Sequence, residues 1–487
     1  MTGSKNQAAT VVWLRDDLRI ADNPALAAAC ERGEPLVVLY VLDEKSEGIR
    51  PLGGAAKAWL HESLAALAAD LASRGQNLIL KRGKALDVVS SVARAAGAKT
   101  VCWNRRYGPA EPVDEAVRKR LRNAGIAVEV HEAILLHAPR DVRTQSGETY
   151  QIFSAFWRAA QKVGEPRPPI PAPAKMPPPV AAIAGDDLAD LQLLPEGPDW
   201  TAGIRETWTP GESGARRTLD EFLERASAYA EERDLPAADS TSRLSPYLRF
   251  GEISPHQVWE ASASIDAQAR TKFRGELGWR EFNWHLLAER PDLTVNNLKP
   301  AFDAFPWGDT YADDMWAWRR GRTGYPVVDA GMRQLWHTGW MHNRVRMIVA
   351  SFLVKHLLAD WRIGEEWFWD TLVDADPANN PVNWQWAAGS GADAQPFFRI
   401  FNPVLQGEKF DPDGDYVRRY VPELAKMPAK YIHKPWQAPD AVLAEAGVQL
   451  GRTYPEPIVD HAMARQRALD AFETMRRRAA EGDRRAG

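Results

Sequence analysis

A chain of 487 residues is long enough for two or three domains and a large core. Hydrophobic residues make up 45% and charged residues 26%, the proportions of an ordinary soluble globular protein. The net charge of −4 excludes a polycation, so nucleic-acid contact would have to come from a local basic face. No apolar run approaches the ~20 residues of a membrane-spanning helix, and Met1–Gln7 lacks the apolar segment of a secretory signal, so a cytoplasmic protein is expected. Cys30 and Cys102 sit in apolar contexts and read as plain buried thiols. Two cysteines are too few for an iron–sulfur cluster or an all-cysteine zinc site, and no metal is expected.

Taken in chain order, short apolar runs alternate with amphipathic segments. Thr10–Leu14 reads as a buried strand and Asn23–Glu31 as a helix with Pro24 in its first turn. Pro35–Leu42 is a second strand, and Ala55–Ser73 an amphipathic helix stopped by Gly75. Strands at Asn77–Leu80, Thr100–Trp103 and Ile126–Val130 alternate with helices at Leu86–Ala96 and Glu111–Asn123. This alternation predicts a doubly wound α/β domain with a parallel five-stranded sheet. No GxGxxG follows the first strand, which removes the dinucleotide fingerprint. Ligands of such sheets bind at the carboxyl ends of the strands, which points to the loop Asn104–Glu111.

Residues 164–180 carry proline at a density that sustains neither helix nor sheet, and predict an extended surface connector. Beyond Gly214 the strand pattern disappears. Helices are predicted at Arg216–Ala230, Ser254–Ala263, Arg270–Ala288, Asp329–Leu335, Arg344–Leu358, Glu365–Leu372 and His461–Ala480. The expected organisation is an α/β domain over 1–135, a Pro-rich linker over 136–211 and an all-α domain over 212–487. The chain ends in a basic helix and tail, Arg476–Arg478 and Arg484-Arg485, which read as solvated.

Of 20 tryptophans, 12 lie between Trp279 and Trp386, a density that a core alone does not explain. From Trp336 to Asn402, arginines, acids and amides lie between bulky rings in a stretch that otherwise reads as buried helix. Each such polar group needs a partner once it leaves water. The stretch therefore reads as the wall of a pocket for something flat, polar and aromatic. Thr241–Pro246 opens a helical region, where hydroxyls and backbone N–H groups cap a helix or hold phosphate oxygens. Arg346 with Asp374 and Asp376 reads either as a buried ion pair or as hydrogen-bonding groups for a heterocycle's edge.

Nearly the whole chain resembles the photolyase/cryptochrome family, and within it the microbial photolyases for cyclobutane pyrimidine dimers. The resemblance rests on Val12–Arg19 with Asp22-Asn23, Thr241–Pro246, Glu276–Phe282, Thr323–Pro326, Gly339–Met347, Asp374–Trp386 and Arg399–Lys409. It implies a non-covalent, U-shaped FAD in the helical domain, reduced and anionic when active. Light-driven electron transfer from that flavin to a flipped-out dimer breaks the two cyclobutane bonds, and the electron returns.

Carried over by position, the flavin contacts are Tyr229, Thr241, Ser242, Arg243, Leu244, Ser245, Phe273, Arg346, Asp374, Asp376 and Asn380. Phe273 stands where the family often has Trp, keeping a ring but losing an indole donor. Glu276, Asn343 and Met347 are implied in catalysis at the lesion, with Asn380 beside a redox nitrogen of the flavin. Arg233, Glu276, Trp279, Arg344, Trp386, Arg399 and Lys409 are implied as DNA and lesion contacts. Trp384, Trp361 and Trp318 match the tryptophan chain that carries electrons inward from the surface, while Trp336, Trp340, Trp367 and Trp369 are left as core.

The resemblance also weighs the rivals. A (6-4) photolyase would carry His in place of Asn343 and of Met347. A cryptochrome photoreceptor usually has a C-terminal extension, whereas this chain stops about 80 residues after Pro403, and plant-type cryptochromes tend to have Asp where Asn380 stands. A flavin- and DNA-binding protein without repair activity is disfavoured by Glu276, Asn343, Met347 and the three tryptophans. The antenna chromophore is expected to be a folate, methenyltetrahydrofolate, because Glu111 aligns with a folate-contacting Glu. Ala110 stands where that subtype commonly has Asn, which keeps deazaflavin open. A monomer with salt-sensitive DNA binding is expected.

Overall fold

The computed structural model describes residues 8–181, 183–308, 312–394, 396–397 and 399–486, the last five by backbone alone. Met1–Gln7, Phe398 and the side chains of Arg484 and Arg485, all read above, lie outside the described residues. The chain forms two compact units. The first is Met1–Ser227 with Ser242–Asp292 and Val373–Asp376; the second is Ala228–Thr241, Leu293–Leu372 and Pro377–Gly487. Position 212, the expected start of the helical domain, falls inside the first unit.

The first unit holds five parallel strands, β1 (Ala9–Leu14), β2 (Leu36–Leu42), β3 (Leu78–Arg82), β4 (Ala98–Asn104) and β5 (Ala127–His131), in the order β3-β2-β1-β4-β5. β1 and β2 are largely apolar runs buried along their whole length, as a sheet covered on two faces requires. The covering helices include α1 (Pro24–Glu31), α2 (Gly54–Ala72), α3 (Ala85–Ala95) and α4 (Glu111–Asn123). Asn23 caps α1 by accepting from the Leu26 backbone N–H at 3.1 Å.

The Pro-rich tract is extended and tied to the sheet. Leu36 N–H donates to Pro178 O at 2.9 Å and Val180 N–H to Leu36 O at 3.2 Å. β3 pairs with β2 only from Val38 onward, so the start of β2 has backbone groups for the tract to meet. Within 136–211 there is also a helix that the sequence reading did not anticipate, α5 (Phe153–Val163), which buries Phe156 and Ala160. It packs on the long helix Ala267–Glu289. A Cβ at Gly278 would lie 2.6 Å from the Trp157 ring, so only glycine permits this approach.

The second unit is helical among its described residues. One helix was expected over Arg344–Leu358; instead Asn343–Ser351 is followed by a π-helical turn, Phe352–His356, and Leu358 sits at φ 52°. Helices at Ala312–Arg319, Asn379–Ala388 and Pro403–Phe410 were not expected, because Trp, Asn, Asp and Pro lower local helix preference. Burial of Trp318, Trp384 and Pro403 within these segments outweighs that preference. Among the described residues no helix is long and apolar enough to cross a membrane.

Candidate functional site

In the first unit, the loop through Ser242 and Arg243 leads into the helix Ser245–Phe250, and Arg243 takes a left-handed backbone at φ 51°. Ser245 Oγ donates to Asp374 Oδ2 at 2.6 Å. Arg249 Nε donates to Ala375 O at 2.8 Å, which holds the segment carrying Asp374 and Asp376. Both aspartates and Leu244 are buried. On the helix Ala267–Glu289, Phe273 is buried against Phe222 with ring centroids 4.7 Å apart, while Glu276 and Trp279 are half-buried. The Trp279 ring stacks on Phe153 at 3.9 Å. The neighbouring charges serve the scaffold. Glu281 accepts from Leu136 N–H at 2.7 Å and Arg280 donates to Ile134 O at 2.8 Å. Burial pushes the Glu281 carboxyl up to about 7.

In the second unit, His342 caps the helix Asn343–Ser351, its Nδ1 accepting from Arg344 N–H at 3.2 Å. Asn343 is exposed at the helix start, with Met347 one turn on along the same face and half-buried. Arg344 pairs with Asp234 at 2.8 Å, approaches Met347 Sδ at 3.7 Å and lies over the Phe410 ring at 4.4 Å. Lys409 lies 5.0 Å from the same ring, so two of the expected phosphate-contacting cations share one aromatic platform. Arg346 donates to Met341 O at 2.7 Å. Arg233 stands over the buried Tyr229 ring at 5.5 Å, and Thr241 and Trp386 are half-buried. Arg399 is exposed, and its carbonyl accepts from the buried Lys355 ammonium at 3.1 Å.

Asn380 is buried, and its Nδ2 donates to the Glu365 carboxylate at 2.8 Å and to Glu365 O at 3.0 Å. A carboxylate only accepts, so this contact fixes the amide orientation and turns Oδ1 the other way as an acceptor.

Trp318 and Trp384 meet edge to face at 6.4 Å, with Phe368 against both. Trp361 is buried and donates to Asn297 Oδ1 at 2.9 Å. Trp318 and Trp361 are both 0% exposed. Trp340 and Trp369 are core as expected, but Trp336 is 53% exposed and stacks on Trp367 at 6.1 Å.

At the carboxyl ends of β1 and β4, Asn104 Nδ2 donates to Asp17 at 2.6 Å and Asn23 at 2.8 Å. Arg15 reaches Asn104 O and pairs with Asp114 at 3.2 Å, and Arg106 pairs with the same Asp114. Burial brings the Arg15 guanidinium down to about 10. Glu111, at the start of α4, pairs with Arg105 at 3.5 Å.

Sequence reasoning did not single out Glu365, Asp234, Asn297 and Phe153, which position Asn380, Arg344, Trp361 and Trp279. Each pairing joins chain positions too far apart for any local periodicity to signal.

Two family models match the chain: DNA photolyase over residues 10–175, and the FAD binding domain of DNA photolyase over residues 273–474. A deoxyribodipyrimidine photo-lyase of Agrobacterium fabrum is 52% identical over 480 residues, spanning 97% of this chain and 99% of that protein. Cryptochrome-2 of Arabidopsis thaliana is 38% identical over 96% of this chain and 79% of its own length. The crystal structure of a bacterial class III photolyase from Agrobacterium tumefaciens superposes with a TM-score of 0.94 at 51% identity, covering 98% of this chain and 99% of that one. The chain belongs to the DNA photolyase family and carries its FAD-binding domain.

Proposed function

We propose that this chain repairs cyclobutane pyrimidine dimers in DNA by light-driven electron transfer, with FAD as its catalytic cofactor. The reading is carried by one coincidence: the FAD-binding-domain match contains a buried amide whose orientation Glu365 dictates. An acceptor aimed by its neighbour suits the N–H edge of a reduced isoalloxazine ring. The rest of the donor set fits as well. Asp374 and Asp376 supply acceptors, Arg346 a fixed cation, Ser242 and Arg243 hydroxyl and guanidinium donors, and Ser245 a hydroxyl oxygen. Tyr229, Thr241, Leu244 and Phe273 complete the expected contacts. When bound and reduced, the flavin supplies the photo-excited electron that splits the dimer.

The protein's own residues do the remaining work. Glu276 hydrogen-bonds the edge of the extruded lesion and stabilises the charge it takes up. Asn343 and Met347 line the lesion's pocket, and Trp279 and Trp386 offer aromatic faces to the unstacked bases. Phe153 holds the Trp279 ring in its plane. Arg233, Arg344, Arg399 and Lys409 contact phosphates or the pocket rim. Trp384, Trp318 and Trp361 would relay electrons from an external reductant to a bound, oxidised flavin. Glu111 belongs to an antenna site, with methenyltetrahydrofolate favoured over deazaflavin. A folate-like absorption band in protein purified under mild conditions supports that choice, and a deazaflavin band overturns it. The protein acts as a monomer in the cytoplasm.

The test is direct. Pre-reduced protein is mixed with an oligonucleotide carrying one thymine dimer and illuminated, and recovered thymine absorbance is followed. Recovery in light and none in the dark is expected, with no repair of a (6-4) photoproduct. Absence of recovery would turn the assignment toward a blue-light photoreceptor of the cryptochrome type.

A further inference from the structure

We infer that Cys102, Glu129 and His131 form a binding site for one zinc-class divalent cation at the edge of the parallel sheet. The placement follows from register. β4 and β5 are parallel with Cys102 opposite Glu129, and His131, two residues on, points to the same face. Val128 and Val130, on the opposite face, pack on the apolar core. The polar face meets the C-terminal end of α1, where Arg32 pairs with Glu129 Oε1.

That ion pair orients the carboxylate. With Oε1 held by Arg32, Oε2 lies 3.7 Å from Cys102 Sγ and 3.9 Å from His131 Nε2. One sulfur, one nitrogen and one oxygen from three residues lie within 4.8 Å of one another. Bond lengths of about 2.3 Å to sulfur and 2.0–2.2 Å to nitrogen and oxygen imply donor separations of about 3.3–3.6 Å around a tetrahedral zinc. Closing the two Oε2 distances by a few tenths of an ångström, with the sulfur and the ring nitrogen drawn together from within 4.8 Å, brings the three into range and leaves a fourth position for water. Cys102 is completely buried, and the His131 Nε2 atom is buried without a hydrogen-bond partner. A desolvated ring nitrogen aimed at a carboxylate and a thiol is a costly arrangement that a shared cation relieves.

The donor chemistry selects the metal class. Thiolate with imidazole and one carboxylate suits zinc and its neighbours rather than magnesium or calcium. Thiolate and carboxylate together neutralise a divalent ion, while Arg32 stays on the outer oxygen. Loading breaks the Sγ–H bond, forms a sulfur–metal bond and releases one proton to solvent. None of the residues assigned to repair lies in the cluster. The bound ion would clamp the edge strand β5 to β4.

The test uses untagged, flavin-loaded protein stripped by a chelator and titrated with zinc chloride against a chromophoric competitor. One equivalent is expected to bind, with X-ray absorption at the zinc edge showing one sulfur scatterer at about 2.3 Å. Cys102→Ser and His131→Gln should each weaken binding by about tenfold or more, while Cys30→Ser leaves it unchanged. Glu129→Gln, nearly isosteric, serves as a further variant, and retained flavin reports that each variant is folded. No stoichiometric binding, no sulfur scatterer, or unchanged affinity in folded Cys102→Ser would each overturn the site.

Discussion

At the carboxyl ends of β1 and β4, and along the helix Asn343–Ser351, the chain uses the same residue types in opposite ways. Arg15, Asn104 and Asp114 are 6%, 2% and 7% exposed, and they pair with one another and with their neighbours. Around Asn343, Arg344 and Arg346 are half-buried, Arg344 pairing with Asp234 at 2.8 Å and Arg346 donating to Met341 O at 2.7 Å. The first region is sealed, and its charges hold strands together. The second is less buried, and its groups are those proposed for a ligand. Richness in polar residues does not separate scaffold from site; the degree to which those residues close on one another does.

The comparison breaks most readily at Asp114. Asp114→Ala leaves Arg15 and Arg106 without their carboxylate and should cost about 3–5 kcal/mol in denaturant unfolding, with repair per folded molecule unchanged. Glu276→Ala should do the reverse, lowering the repair rate of pre-reduced protein roughly a hundredfold with unfolding altered by less than about 0.5 kcal/mol.

The sealed side is sharpened by pH. Glu252, completely buried with Ser63, Trp59 and Gly211 N–H as donors and no cationic partner among the described residues, has its carboxyl pushed up to about 8 by burial. A carboxyl whose folded value is raised binds its proton more tightly when folded. Its contribution is therefore complete below the ordinary carboxylate range and lost as pH rises toward 8. Unfolding followed across that window should show a decline on the order of 5 kcal/mol, which Glu252→Gln flattens. On the open side, Arg344→Gln should weaken binding to dimer-containing DNA and reduce the salt slope by about 1. Trp318→Phe should slow flavin photoreduction less than Trp384→Phe, because Trp318 has no surface through which to meet an external donor.

Much of the sheet was legible because parallel strands buried on both faces read as unbroken apolar runs. The observed strands begin or end within two residues of those expected. Asn23 and Pro24 marked the start of α1 through capping chemistry that is local by nature. The helix Asn379–Ala388 was hidden because Asn and Pro argue against helix until Trp384 and Val382 are buried. The π turn at Phe352–His356 and the exposure of Trp336 were hidden for the same reason: both depend on what packs around them. The proposed site residues were drawn from long motifs, but the residues that support them were not. Glu365 precedes Asn380 by 15 positions and Asp234 precedes Arg344 by 110, so only folding reveals the pairings.

The most direct measurement compares light-driven repair of a thymine-dimer oligonucleotide by Glu276→Gln and Asp114→Asn, each pre-reduced, flavin-loaded and normalised to folded protein. A large loss in Glu276→Gln with parent-like turnover in Asp114→Asn is predicted. Equal losses in the two variants, or loss only in Asp114→Asn, would contradict the division into a sealed scaffold and an open site.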